Sequence, residues 1–151
     1  MLDLGAMIAR GGFKDLEGDT KGQVLDELID LVGQAPEIKD KEALRKAVKE
    51  REEIMSTGIG LGIAIPHAKI PAVDDFVIGI GRARKGLEFD SFIDNQKVTC
   101  VVLIAAHANQ ASDYVRVLAK VTHVLKSEEN RKSFLRVKNL EEVIALFTGK
   151  P

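Results

Sequence analysis

The sequence lacks several features that mark secreted, membrane-spanning or nucleic-acid-binding proteins. It has one cysteine among 151 residues, which excludes an internal disulfide and favours a reducing, cytoplasmic setting. Its longest apolar run, 98–106, is too short to span a bilayer, so we expect no membrane insertion. The N-terminus lacks the charged start and long apolar block of a signal peptide. A formal net charge of −1, without a basic run, gives no electrostatic case for a nucleic-acid partner.

The remaining composition is that of a soluble globular domain, with 45% hydrophobic and 30% charged residues. Apolar periodicity and capping residues predict six helices, at about 2–10, 21–32, 41–53, 112–125, 127–135 and 139–147. Apolar runs and alternation predict strands at 63–65, 76–83 and 98–106. We therefore expect one α/β domain over residues 1–151, with helices flanking a small sheet.

The chain concentrates its unusual residues in the stretch 56–69, STGIGLGIAIPHAK. Three glycines at alternate positions, beginning at Gly58, lead into an apolar run that stops at Pro66. Their spacing matches neither a dinucleotide fingerprint nor a nucleotide P-loop, and by itself it indicates a plain turn that feeds a strand. The hydroxyls of Ser56 and Thr57, beside unhindered backbone N–H groups, favour instead a loop that holds a phosphoryl group.

His67 is the strongest candidate for a reactive side chain. Pro66 fixes its own φ and pushes Ile65 into the extended region, so the strand 63–65 is predicted to stop abruptly. That geometry leaves His67 on a stiff corner at the end of a strand. An imidazole held there is a candidate nucleophile or proton carrier, because a histidine ring can be uncharged at neutral pH.

Arg51 is the second candidate. It follows Val48 by three positions and Leu44 by seven, which predicts an inward-facing place near the end of the helix 41–53. Ile54 is expected on the same buried face. A guanidinium suits a phosphoryl group, although a cation at a helix C-terminus also complements the helix dipole without any further role.

The other two histidines and the cysteine give weaker indications. His107 follows the strand 98–106, where the ends of strands in open α/β sheets often border a ligand site, but the sequence favours a half-exposed loop histidine instead. His123 is expected on the solvent face of a helix, and Cys100 inside the central strand as an apolar filler. No pair of histidines has the spacing of metal ligands, so neither a metal nor a cofactor is predicted.

Three motifs at set separations resemble one protein family: RE at 51–52, STGIG at 56–60 and GIAIPH at 62–67. They are similar to the enzyme IIA domains of the bacterial sugar phosphotransferase system, fructose/mannitol type, which include nitrogen-regulatory IIA proteins. The resemblance implies a single α/β domain with a mixed central sheet between helices.

The resemblance also implies a function as a phosphocarrier. In that family the histidine after Ile-Pro accepts a phosphoryl group from the phosphohistidine of HPr and passes it to a cysteine of enzyme IIB. Carried over, His67 would be phosphorylated through Nε2, Arg51 would stabilise the phosphoryl charge, and Ser56, Thr57 and Gly58 would line the pocket.

Two positions depart from the family pattern. Many members have a second active-site histidine at the start of the helix after the central strand, where this chain has Tyr114, and His107 lies one turn of loop earlier. We therefore expect Tyr114 in the phosphoryl pocket, with His107 as the alternative for this second position. Many have glycine where this chain has Met55. Two functions besides sugar transport stay open from the sequence: a nitrogen-type regulator that signals by its phosphorylation state, and a binding module that is never phosphorylated.

Overall fold

The computed structural model describes residues 2–89 and 94–149, which form a layer of sheet between two layers of helices. Its helices are α1 (Leu4–Gly11), α2 (Lys21–Val32), α3 (Lys41–Ile54), α4 (Ala111–Lys126), α5 (Glu128–Phe134) and α6 (Leu140–Thr148). Its strands are β1 (Phe13–Asp15), β2 (Gly58–Gly60), β3 (Ile63–Ala64), β4 (His67–Lys69), β5 (Val77–Leu87) and β6 (Val98–Ala106).

The sheet is mixed, and β6 runs through its middle. The strand order is β1-β5-β6-β3-β2, with β4 also paired to β6. β5 and β6 are antiparallel, whereas β3 and β4 lie parallel to β6 and β1 lies parallel to β5. The predicted single α/β domain with a mixed sheet between helices is therefore confirmed.

Alternate residues of β6 belong to two separate cores, one on each face of the sheet. Cys100, Val102 and Ile104 pack with the apolar faces of α1, α4 and α6. Val101 and Leu103 pack on the other face with those of α2 and α3. A strand that is apolar on both faces needs cover on both sides, which is why the helices divide into two layers.

Local capping signals fix most of the helix ends. Thr20 and Gln23 form the predicted capping box of α2, and Ser127 and Asn139 accept hydrogen bonds from the first turns of α5 and α6. The predicted cap of α4 at Ser112 or Asp113 is wrong. α4 begins earlier, at Ala111, because Gln110 is its N-terminal boundary and its side chain bonds to neighbouring loops instead.

Three strand predictions need correction. The predicted strand 76–83 continues to Leu87, where it pairs with Val98, and β1 was not predicted at all. The strand that was expected to end at Ile65 is only interrupted there. It resumes at His67 as β4. The first part pairs with Cys100 and Val101 of β6, and the second pairs with β6 from Ile104 onward.

Arg82 joins three elements in the interior of the protein. Its side chain is 2% exposed and makes a two-pronged pair with Asp15 of β1, at 2.6 and 3.0 Å. Its Nη1 also donates to the backbone carbonyls of Phe134, Leu135 and Val137. These carbonyls end α5 and begin the next turn, so one guanidinium ties β1, β5 and the end of α5 together.

Candidate functional site

His67 begins β4, directly beside Ile104 of β6. The carbonyl of the preceding Pro66 accepts a hydrogen bond from the Ile104 N–H at 3.0 Å, so the backbone is fixed on both sides of the ring. The side chain is half-buried. The stiff placement predicted from Ile-Pro-His is present, although it arises from pairing to the central strand and not from a free corner.

A backbone hydrogen bond defines the chemistry of the imidazole. His67 Nδ1 lies 3.0 Å from the carbonyl oxygen of Ile65. A carbonyl oxygen only accepts, so Nδ1 holds the proton in the neutral ring. Nε2 is then the nitrogen with a free lone pair, and it is the atom able to attack an electrophile.

The surroundings of His67 favour the uncharged ring. Burial lowers the pKa of the imidazole, and the positive charges of Arg51 and Lys69 lower it further. The hydrogen bond to Ile65 and the negative charge of Glu52 act in the opposite direction on this pKa, but the net shift is downward from the ordinary value. The lowered pKa therefore favours the uncharged imidazole at neutral pH.

Tyr114, on the first turn of α4, contacts the His67 ring. The two ring centroids are 5.1 Å apart with the ring planes inclined at 38°. The phenol is buried, and its hydroxyl has no hydrogen-bond partner among the residues that the structure describes. Burial raises the pKa of Tyr114, so the hydroxyl remains a neutral donor. Tyr114, which occupies the place of the second histidine in the family pattern, therefore contacts His67.

Arg51 lies in the last turn of α3, half-buried, with Nη1 donating to the carbonyl of Met55 at 3.0 Å. Its positive charge contributes to lowering the pKa of His67, and it partly offsets the rise that burial causes in the pKa of Tyr114. The predicted inward face is occupied instead by Glu52, because Leu44, Val48 and Glu52 form a row at i, i+4 and i+8. The prediction that Ile54 is buried is wrong, since it is 80% exposed.

Glu52 organises the segment that the sequence marked as a phosphoryl loop. It is 7% exposed, and its carboxylate accepts hydrogen bonds from both the backbone N–H and the hydroxyl of Thr57. Lys21 Nζ neutralises it at 2.6 Å. The sequence pairs Glu52 with Arg51 in one motif, but its role was not recognised because a lone glutamate on an amphipathic helix normally faces solvent.

The polar groups of this loop are used inside the protein. Ser56 donates its hydroxyl hydrogen to the carbonyl of Phe89 and accepts from the N–H of Gly58. The N–H of Leu61 donates to Asp94. The expected cluster of unhindered N–H groups is thus satisfied locally at Thr57, Gly58 and Leu61, and the pocket-lining roles of Ser56, Thr57 and Gly58 stay predictions.

The glycines serve the turn between β2 and β3. Gly60, Leu61 and Gly62 have φ angles of 86°, 60° and 78°. A positive φ is costly for a residue with a Cβ, so a turn with three such residues in a row favours glycine, as at Gly60 and Gly62. A plain turn that feeds a strand, the simpler of the two interpretations, accounts for this spacing.

His107 and His123 are not brought into contact with His67 by any described hydrogen bond, ion pair or ring contact. His107 follows β6, and its Nδ1 accepts from the N–H of Asn109 at 2.9 Å, so the ring closes the loop that leads into α4. The placement of His107 in the pocket remains a prediction. His123 is exposed and Cys100 is buried, as predicted, and burial raises the pKa of the Cys100 thiol.

Lys69 was also missed by the sequence analysis, although it closes the motif stretch. Its Nζ lies 4.4 Å from the centroid of the Tyr114 ring. Its position two residues after His67 on the same strand was the available signal. Within residues 2–89 and 94–149, no three His, Cys, Asp or Glu side chains cluster as a metal site, and no helix is long and apolar enough to cross a membrane.

Comparison with known proteins agrees with the resemblance of the motifs. Residues 12–150 match the family described as "Phosphoenolpyruvate-dependent sugar phosphotransferase system, EIIA 2". The fructose-specific EIIA component of Haloferax volcanii is 31% identical over 82% of this chain and 80% of its own length. The fructose-specific EIIABC component of Bacillus subtilis is 34% identical over 86% of this chain, which spans only 20% of that relative.

Two solved structures share the fold. The nitrogen regulatory protein IIA-Ntr of Neisseria meningitidis superposes with a TM-score of 0.87 at 24% identity, covering 95% of this chain and 98% of that one. The enzyme IIA of mannitol from Escherichia coli, in complex with phosphorylated enzyme IIB, superposes with a TM-score of 0.78 at 21% identity, covering 94% and 96%. With a family model that matches nearly its whole length, this chain belongs to the EIIA 2 family of the phosphoenolpyruvate-dependent sugar phosphotransferase system.

Proposed function

We propose that this protein is a phosphocarrier that accepts a phosphoryl group on His67 from an HPr-type donor and passes it to an enzyme IIB. The observation that carries the proposal is the Nδ1–H hydrogen bond to Ile65, which leaves the Nε2 lone pair free on an uncharged ring. The proposal includes the cytoplasmic setting that the single cysteine favours.

The transfer exchanges one nitrogen–phosphorus bond for another. Nε2 of His67 attacks the phosphorus as the bond to the donor histidine breaks, and the bonding electron pair stays with the donor nitrogen. The Nδ1 proton remains on the ring, where the Ile65 carbonyl stabilises the positive charge that the ring gains. Little further chemistry is needed from the protein, because phosphoryl transfer depends on positioning and on charge stabilisation.

Arg51 supplies the positive charge in this proposal. Among the described residues, its guanidinium bonds to Met55 through Nη1, which leaves other N–H donors for phosphoryl oxygens. The second step delivers the group to a IIB partner. The mannitol enzyme IIA of Escherichia coli forms such a complex with phosphorylated enzyme IIB.

A regulatory use of the same phosphoryl acceptor is the second candidate. The fold similarity to IIA-Ntr favours it, and the first step on His67 would be the same. The two candidates differ in what the phosphorylated protein contacts next: a IIB domain of a sugar permease or a regulatory target protein.

The test is phosphorylation with phosphoenolpyruvate, enzyme I and HPr, followed by mass spectrometry under alkaline conditions. We expect one acid-labile phosphoryl group on His67 and none in His67→Ala, with His123→Ala as the matched control that is phosphorylated normally. An acid-stable adduct, or one that persists in His67→Ala, would overturn the proposal. An absence of any adduct would favour the binding module that is never phosphorylated.

The role of Arg51 is tested by Arg51→Lys in the same assay. Lysine keeps the charge but not the planar, two-pronged donor set, so we expect transfer to slow by at least about tenfold with little loss of stability. Transfer at the wild-type rate would limit Arg51 to its bond with Met55 at the end of α3.

A further inference from the structure

Lys69 and His67 project from the same face of β4. Side chains two positions apart on a strand point to the same side of the sheet, and both of these contact one ring, that of Tyr114. The centroids of the His67 and Tyr114 rings are 5.1 Å apart, and Lys69 Nζ lies 4.4 Å from the Tyr114 centroid. Tyr114 thus contacts both the His67 imidazole and an ammonium group that is attached two residues away.

The ammonium group of Lys69 is weakly held. Its side chain is exposed, and it has no salt bridge or hydrogen bond to another residue in the part of the chain that the structure describes. A contact between an exposed cation and a phenol ring is weak, whereas a hydrogen bond from an ammonium group to a phosphoryl oxygen is strengthened by both charges. Because the four-carbon side chain of lysine is flexible, the ammonium group is able to leave the Tyr114 ring and bind a nearby anion.

We propose that Lys69 is a second phosphoryl-binding cation, which rests over Tyr114 while His67 is free and contacts the phosphoryl oxygens once Nε2 carries the group. This inference rests on the proposed function, since it needs phosphorylation of His67. It assigns to this chain two phosphoryl-binding cations from different elements, Arg51 from α3 and Lys69 from β4.

The pKa of His67 supports the arrangement. The positive charges of Lys69 and Arg51 both contribute to lowering it, in agreement with the shared contact of Lys69 and His67 with the Tyr114 ring. Glu52 acts in the opposite direction on this pKa, and Tyr114 faces the ring as a neutral group. A phosphoryl dianion on Nε2 would reverse the sign of the interaction with Lys69, from repulsion of a ring proton to attraction of an anion.

The experiment compares wild type with Lys69→Gln and Lys69→Arg, and with Lys132→Gln as a control at an exposed lysine on α5. Each protein is phosphorylated both by the enzyme I and HPr system and by the small-molecule donor phosphoramidate. ³¹P NMR then measures the pKa for the second ionisation of the phosphoryl group on His67. A nearby cation stabilises the dianion, so we expect this pKa to rise by roughly half a unit or more in Lys69→Gln. Lys69→Arg should stay near wild type, and Lys132→Gln should match it.

The outcomes separate the two proposals. If neither donor phosphorylates His67, the proposed function fails and the inference fails with it. If His67 is phosphorylated but Lys69→Gln and Lys132→Gln have the same phosphoryl pKa, only the inference is overturned. A change in the pKa of the free His67 ring without a change for the phosphoryl group would also overturn it, since Lys69 would then act on the imidazole alone.

Discussion

At the scale of single residues, the properties of His67 come from opposing electrostatic effects. Burial and two cations disfavour the charged imidazole, while the Ile65 carbonyl and Glu52 favour it. The net result is a pKa below the ordinary value of about 6.5. An unfolded chain therefore binds a proton at His67 first as the pH falls. The stability that this neutral ring contributes is present above about pH 6.5 and is lost as the pH falls through the lower folded value.

We expect an NMR titration of the His67 ring to give a midpoint below about 6.5. Arg51→Gln should raise the midpoint, because it removes a charge that opposes protonation. Lys132→Gln, a change of charge on another element, should leave it where it is. A wild-type midpoint above the ordinary value would contradict the description of His67 as an uncharged nucleophile.

Tyr114 offers a hydroxyl that the folded protein leaves without an internal partner among the described residues. Removing an unpaired buried hydroxyl should not destabilise the fold, so we expect Tyr114→Phe to be neutral or stabilising by up to about 1 kcal/mol. If this hydroxyl donates to the phosphoryl group, the same change slows phosphoryl uptake several-fold. Urea unfolding and uptake from HPr measure the two effects on one variant.

Tyr114→His is the complementary change, since it restores the residue that many family members have at this place. We expect it to speed phosphoryl uptake if an imidazole is what the site lacks. Unchanged uptake in both variants would limit Tyr114 to packing against His67, and His107 would become the better candidate for a second residue of the site.

At the scale of elements, the end of α3 and the loop after it form one unit through Glu52. Glu52→Ala removes the acceptor of two hydrogen bonds from Thr57 and leaves Lys21 without its anion. Hydrogen bonds to charged groups justify an expected loss of about 2 kcal/mol. Glu53→Ala, at the exposed neighbouring position, is the control and should change stability by less than about 0.5 kcal/mol. Equal effects of the two variants in chemical denaturation would show that Glu52 does not hold the loop.

The contacts of Glu52 also explain why the sequence predicted the internal role of the loop 56–58 poorly. Hydroxyls and glycines next to a histidine indicate a phosphoryl loop, yet Ser56, Thr57 and Gly58 bond to Phe89, Glu52 and each other. A buried carboxylate five positions before Thr57 does not follow from the periodicity of α3, because periodicity assigns the inward face to apolar residues.

At the scale of the whole molecule, Arg82 connects both the first strand and the C-terminal helices to the central sheet. Arg82→Met should cost about 3 kcal/mol, because it removes the donor to three carbonyls and the two-pronged pair with Asp15. Arg84→Met is the control, since Arg84 also reaches Asp15, at 3.5 Å, but is 62% exposed. Thermal unfolding of both variants checks this. A loss in Arg84→Met as large as that in Arg82→Met would contradict the central role of Arg82.

The sequence by itself determined what depends on neighbours along the chain: the capped ends of α2, α3, α5 and α6, the strand β6 with two apolar faces, and the candidate His67. Side-chain capping and apolar periodicity depend on residues a few positions apart, so they can be recognised in the sequence alone. Helix spacing made Arg51 a candidate, and the resemblance of three motifs added its expected role and the family.

Only the tertiary structure decided the contacts between residues distant in sequence. Three residues of β1 have too short a pattern to be recognised, and they pair with β5 more than sixty positions later. The contact of Tyr114 with His67 and Lys69, and the burial of Glu52, likewise depend on how α3 and α4 pack beside β4. Packing determines which side chains meet across the core, and it is the reason that one tyrosine contacts both His67 and Lys69.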